Sequence, residues 1–150
     1  MPQSISYVYG HITFSTKNRY PFIDNNIKTS LFEYIAGICK RLECYPIKVG
    51  GHKDHVHILC TLSKNILQTK LLEEIKKGSS KWIKTQGEKY RNFYWQSGYG
   101  IFSVNPSELD VVVHYISNQE EHHRNKSFQE EYLAFLKKYK VKYDERYLWD

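Results

Sequence analysis

The sequence holds no run of about 18 apolar residues, so no segment reads as a membrane-spanning helix. Met1 to Lys17 lack the charged leader and apolar stretch of a secretory signal. Cysteine is scarce. Cys39, Cys44 and Cys60 are odd in number and lack paired spacing, which argues against a disulfide framework or a zinc ribbon. Cys39 and Cys60 lie in apolar surroundings and read as buried free thiols. Four prolines and eight glycines form no linker, and there is no repeat or low-complexity tract. Residues 1–150 therefore read as one domain, long enough to bury a core without staples. These absences together predict a cytoplasmic protein.

What the chain does have is charge of one sign and flat side chains. Its net charge is +6, with a pI near 9.1. Thirteen tyrosines sit within a 15% aromatic fraction, which argues against disorder. Phosphates call for cations and unpaired bases call for flat partners, so this composition suits a nucleic acid. Mild positive charge is also common in proteins that bind none.

Ile5 to Ser15 alternate in part and predict a strand. Leu31, Phe32, Ile35, Ile38 and Leu42 follow helical spacing and predict a helix over Ile27 to Leu42. Short strands over Ile47 to Gly51 and His55 to Leu62 are joined by a tight turn at Lys53-Asp54. Ser63 is the expected cap of a helix running from about Lys64 to Gln86. Tyr94 to Val104 reads as a strand bent at Gly98 or Gly100. Asn105-Pro106-Ser107-Glu108 starts a helix over Leu109 to Arg124, and Ser127 starts another to about Lys140. The order gives a split β-α-β unit taken twice. The predicted fold is α+β, a ferredoxin-like (RRM-like) antiparallel sheet with helices on one face and an open second face, followed by C-terminal helices.

The segment Gly51-His52-Lys53-Asp54-His55-Val56-His57-Ile58-Leu59-Cys60 carries the most chemistry. Residues two apart on a strand share a face, so Val56, Ile58 and Cys60 point toward the helices and His55 and His57 point away together. Adjacent imidazoles suit a divalent metal, although two are fewer than the three ligands usually needed. Solvated histidines on a half-exposed strand are the alternative. On the helix from Leu109, Tyr115 and Gln119 are one turn apart and share a strip. Gln119 offers an oxygen ligand, and Tyr115 a nucleophile aimed at what the metal polarises. Ordinary packing is the competing fate of Tyr115.

The helix after Ser63 brings Lys70, Lys77, Lys81 and Lys84 around one face, where they track phosphates or simply meet solvent. Lys17, Arg19 and Arg41 add to the positive field, and Tyr94, Trp95, Tyr99 and Phe102 are candidates to stack on bases or to pack on the sheet.

Four segments match one family in order: His11-Ile12-Thr13-Phe14-Ser15-Thr16-Lys17 followed by Arg19, the histidine motif within Gly50 to His57, Phe93-Tyr94-Trp95-Gln96-Ser97-Gly98-Tyr99, and Tyr115-Ile116-x-Asn118-Gln119. With them the chain resembles the single-tyrosine HUH transposases of the insertion-sequence 200/605 type, including those associated with repetitive extragenic palindromes. The resemblance implies a DNA transposase acting on single-stranded, hairpin-containing DNA in the cytoplasm of a bacterial or archaeal cell, at the nucleoid. It implies a divalent cation, Mg²⁺ or Mn²⁺, on His55, His57 and Gln119, and attack by Tyr115 that leaves a 5′-phosphotyrosine link and a free 3′-hydroxyl. It further implies a homodimer, with the tyrosine acting in cis or in trans. The rival readings are a domesticated nucleic-acid-binding protein without catalysis and a metal-dependent phosphoesterase. The second copy of a paired His-x-Thr motif is missing, because Ile58 and Leu59 follow His57.

Overall fold

Alternation along the strands sorts the side chains between two faces of one sheet. The computed structural model describes residues 3–150. Its strands are β1 (Tyr9–Ser15), β2 (Pro46–His52), β3 (His55–Thr61) and β4 (Gly100–Val104). They lie in the order β2-β3-β1-β4 with every neighbouring pair antiparallel. Two helices connect them, α1 (Lys28–Arg41) and α2 (Gln68–Lys84). Four helices follow: α3 (Leu109–Ser117), α4 (Gln119–His122), α5 (Phe128–Lys138) and α6 (Glu145–Leu148). This is the predicted α+β architecture.

On one face, Ile12 and Phe14 of β1 and Val56, Ile58 and Cys60 of β3 join the main core. That core takes Leu31, Ile35 and Ile38 from α1 and Leu71, Leu72, Ile75 and Ile83 from α2. Both sets recur at three- and four-residue spacing, which places them on one stripe of each helix. Burial of each such side chain is worth about 1.5–3 kcal/mol.

The second face is not open. Leu59 and Val104 pack with Ile116 of α3, and Phe102 packs with Phe128, Tyr132 and Leu136 of α5. The reason lies in α5 itself: Phe128, Tyr132 and Leu136 are four apart, and such a stripe must be buried against something. The remaining uncovered sheet surface is what it meets.

Three helix limits bear on the expected boundaries. Ser63 does not cap α2; its hydroxyl accepts from Asn65 N at 3.1 Å within a turn, and α2 begins after Leu67. The helix expected over Leu109 to Arg124 breaks at Asn118 (φ −107, ψ 28), which separates α3 from α4. Ser127 does start α5, through a capping box in which its Oγ accepts from Glu130 N at 3.1 Å.

Candidate active site

β3 directs His55 and His57 onto the face covered by α3, α4 and α5, and neither has exposed surface. Each ring is fixed from behind. His55 Nδ1 lies 2.7 Å from Asp54 Oδ1, which turns its Nε2 to Gln119 Oε1 at 2.8 Å. His57 Nδ1 lies 2.8 Å from His11 Nε2, and its own Nε2 lies 2.8 Å from Glu131 Oε1. Burial, reinforced by neighbouring His57, pushes the His11 pKa down to about 3, so His11 is a neutral imidazole that orients His57. Such outer partners set the tautomer of a metal-binding ring.

Tyr115 and Gln119 reach the same place because β2 lets the end of α3 come close. A Cβ on Gly50 would lie 2.7 Å from Ile116 Cγ2 and 3.0 Å from the Ile116 carbonyl oxygen. Tyr115 packs its ring 5.6 Å from that of His57, centroid to centroid. Its hydroxyl donates to Glu131 Oε2 and lies 3.2 Å from His122 Nε2. Gln119 Oε1 also lies 2.9 Å from His123 Nε2. Tyr115, His55, His57 and Gln119 thus meet within one chain.

Glu131 is the residue that sequence reasoning missed. It is 2% exposed, and its two oxygens divide the site. Oε1 faces His57 at 2.8 Å and His55 at 3.7 Å; Oε2 faces His123 at 3.0 Å, His122 at 3.3 Å and the Tyr115 hydroxyl. One signal was present. Glu131 falls between Phe128 and Tyr132, so a carboxylate stands on the apolar stripe of α5.

The charges follow from these contacts. Burial alone would raise the Glu131 carboxyl, but hydrogen bonds from His123 and His57 outweigh it and hold the group far below the usual range. Burial works to lower His123, yet Glu131 and the Lys126 carbonyl outweigh it and lift it above its ordinary value. Burial and then the charge of Glu131 push the Tyr115 phenol up, so it is protonated at neutral pH.

The donor set fits a divalent cation. Ligand atoms of His55, His57 and Glu131 all lie within 4.8 Å of one another, and Gln119 Oε1 adjoins His55. Two imidazoles, a carboxylate and an amide oxygen match the usual mixed N/O ligands of catalytic metals.

The basic and aromatic candidates separate into three groups. Lys17, Lys77 and Lys81 are exposed and Lys84 is half-buried. Lys17 and Lys84 flank the exposed ring of Tyr94, with Nζ 5.9 Å and 4.5 Å from its centroid. Arg19 is half-buried and donates to the Trp149 carbonyl at 3.0 Å. Trp95 is placed in the core, edge-on to Phe14 and Phe93, with its indole N–H on Ser79 Oγ at 2.9 Å. No ring face is left for a base. Tyr99 packs against the same core, beside Lys76. Burial lowers Lys76 to about 8, and its Nζ donates to the carbonyls of Gln96, Ser97 and Gly98 at 2.8, 3.0 and 2.7 Å.

Among the described residues, no helix is long and apolar enough to cross a membrane. A search of curated proteins gives no match. The solved structures that share the fold include two that match over three-quarters or more of both chains. One is a putative transposase from Deinococcus radiodurans R1, at 16% identity and TM-score 0.62, covering 79% of this chain and 98% of that one. The other is a REP-associated tyrosine transposase bound to a REP hairpin, at 18% identity and TM-score 0.59, covering 83% of this chain and 75% of that one. The family described as "Transposase IS200 like" matches residues 4–119, a span that takes in His11, His55, His57, Tyr115 and Gln119 and stops short of Glu131. With the match covering most of its length, the chain belongs to the IS200-like transposase family.

Proposed function

We propose that this transposase cleaves and rejoins single-stranded DNA through a covalent link to Tyr115. The observation that carries the reading is the placement of the Tyr115 hydroxyl at a buried carboxylate and imidazole cluster whose other side is the His55–His57 pair. A phenol buried in ordinary packing would not be aimed at such a cluster.

His55, His57 and Gln119 would hold a divalent cation, with Glu131 as a further oxygen ligand on the same side. When bound, the cation offsets the negative charge of the scissile phosphate and stabilises the charge that develops in displacement. The donor set admits Mn²⁺ readily. Mg²⁺, which prefers oxygen ligands, finds fewer of them here.

The chain's own residues do the rest. Tyr115 Oη attacks the phosphorus, and its proton passes to Glu131 Oε2, the acceptor it already contacts. The bond to the 3′-oxygen breaks and that oxygen takes up a proton from solvent, which leaves a free 3′-hydroxyl and a 5′-phosphotyrosine. Covalent attachment conserves the phosphodiester energy for rejoining. His11 and Asp54 hold the two imidazoles in place throughout.

The strand approaches over Lys17, Lys84 and Tyr94, with Lys77 and Lys81 extending the cationic track along α2. A hairpin end fits this surface as a partner, since unpaired bases beside the stem expose faces to stack. The site is complete within one chain, which favours action in cis; a homodimer with the tyrosine acting in trans is the second arrangement.

The test uses labelled hairpin-containing single strands with Mn²⁺ or Mg²⁺. The parent protein is expected to cleave with a covalent protein–DNA product. Tyr115→Phe is expected to bind DNA and leave it intact. A Tyr115→Phe variant that still forms the adduct removes Tyr115 from this role.

A further inference from the structure

We infer that Lys76 of α2 is a positioning residue for single-strand binding: by holding the carbonyls of Gln96, Ser97 and Gly98 it sets the ring of Tyr94 and the ammonium of Lys17 on the DNA surface. This inference rests on the strand path over Lys17, Lys84 and Tyr94 proposed above.

The geometry begins with a mismatch in the sheet. β1 pairs with β4 as far as Thr13 and Gly100, and its next residue partners are Thr16 and Trp95. Phe14 and Ser15 therefore stand opposite Gln96, Ser97, Gly98 and Tyr99, and the longer side has to bulge. A bulge takes carbonyls out of the ladder, and they need other donors. Lys76 supplies them. Its Nζ donates to three successive carbonyls, at 2.8 Å to Gln96, 3.0 Å to Ser97 and 2.7 Å to Gly98. It also lies 5.0 Å from the centre of the Phe14 ring and 5.7 Å from that of Tyr99, where ring faces favour a cation.

The pinned bulge runs straight into the DNA surface. Gln96 N donates to the Ser15 carbonyl at 2.9 Å, and Gln96 Oε1 accepts from Ser15 N at 2.8 Å. Lys17 N donates to the Tyr94 carbonyl at 2.8 Å, so the exposed ring of Tyr94 is carried by the same short pairing. Without the Lys76 charge the three carbonyls lose their shared donor, and the anchor two residues from Tyr94 loosens.

Lys76 is half-buried and has no carboxylate partner among the described residues. On its own helix, Glu74 and Glu73 are paired with Lys70. β1 offers it the Phe14 ring, and the bulge offers the Tyr99 phenol as the facing titratable group. Asp150 meets the bulge through its backbone carbonyl, 2.8 Å from Gly98 N. Burial accordingly lowers Lys76 to about 8. The ammonium carries three hydrogens for three carbonyls; the neutral amine has two and no charge. The pinned form is therefore complete below about pH 8 and is lost as pH rises through it.

The experiment measures binding of a labelled hairpin-containing single strand to the full, metal-free chain by fluorescence anisotropy. Lys76→Met keeps the stem on Phe14 and Tyr99 and removes the charge. It should weaken binding about 5–150-fold, the range for one stacked base. It should leave the slope of log affinity against log salt unchanged, because Lys76 faces carbonyls and not phosphates. Combined with Tyr94→Ala it should add little to either single loss, since both act through one ring. Parent affinity should be level below about pH 8 and fall by up to about tenfold per pH unit above it. Lys76→Met should abolish that fall, and Lys76→Arg, charged throughout, should hold its affinity to about pH 9. Circular dichroism at each pH checks that the proteins are folded; if Lys76→Met does not fold, the parent and Lys76→Arg profiles decide. Additive losses, a lower salt slope in Lys76→Met, or a parent affinity that ignores pH overturns the positioning role and leaves the strand path standing. Full binding by Tyr94→Ala overturns the strand path and this inference with it.

Discussion

Glu131 Oε1 lies 2.8 Å from His57 Nε2, and this contact ties α5 to the central strand β3 across 74 residues of sequence. It joins the two halves of the site. The histidines come from the sheet, and the carboxylate comes from a helix that the sheet has to attract by its apolar stripe.

Replacing Glu131 by Ala leaves buried His57 and His123 without their anion. Removing one partner of a buried charged group costs about 3–5 kcal/mol. We expect a lower midpoint in denaturant titration of the metal-free protein and loss of DNA cleavage. Glu131→Gln retains the shape and part of the hydrogen bonding, so it should lose less stability than Glu131→Ala.

Much of this arrangement is legible in sequence. Alternation along His55-Val56-His57-Ile58 puts the two imidazoles on the face opposite the main core, and that is where they lie. The order of strands and helices specifies the sheet. Glu131 is harder to see. Beside Glu130 it resembles an ordinary first-turn carboxylate favoured by the helix dipole, and only docking of α5 on the sheet makes it part of a site. The covering of the second sheet face is hidden for the same reason: contacts between α5 and the sheet are set by packing over long sequence distances. Trp95 reads as a stacking surface in sequence because aromatic residues beside basic ones look alike whether buried or exposed.

Gly50 is predicted to be intolerant of a side chain. A Cβ there would overlap Ile116 at 2.7 Å and the Ile116 carbonyl oxygen at 3.0 Å. Overpacking of this kind costs about 1–3 kcal/mol. Gly50→Ala should lower the thermal midpoint and reduce cleavage more than DNA binding, because Tyr115 adjoins the displaced residue. Equal loss of binding and cleavage would contradict the positioning role.

Stability should depend on pH through His11. Its folded pKa is pushed down to about 3 from an ordinary 6.5. The unfolded chain therefore binds a proton between those values that the folded chain refuses. Stability from this group is fully present above about 6.5 and is lost as pH falls toward 3, by up to about 1.4 kcal/mol per pH unit. Burial lowers His57 in the same direction. Denaturant titrations of the metal-free protein at several pH values from about 4 to 7 should show this slope, and His11→Gln should flatten it. An unchanged slope would contradict a neutral buried His11.

The cationic surface makes a separate prediction. Tyr94→Ala should weaken single-strand binding by about 1–3 kcal/mol, the range for one stacked base. Lys17→Gln with Lys84→Gln should lower the slope of log affinity against log salt by about 1.4, at about 0.7 for each phosphate that is no longer neutralised. Trp95→Phe should change stability through its bond to Ser79 and leave the salt slope as it was.

In the proposed reaction the Tyr115 oxygen becomes joined to a DNA 5′-phosphate. Its most direct test is to trap the cleavage reaction, digest the protein and locate the attached nucleotide by mass spectrometry. The tyrosine peptide containing residue 115 is expected to carry the strand that lay 3′ of the cut, through its 5′-phosphate. Attachment at any other residue, or cleavage with no attached nucleotide, would contradict it.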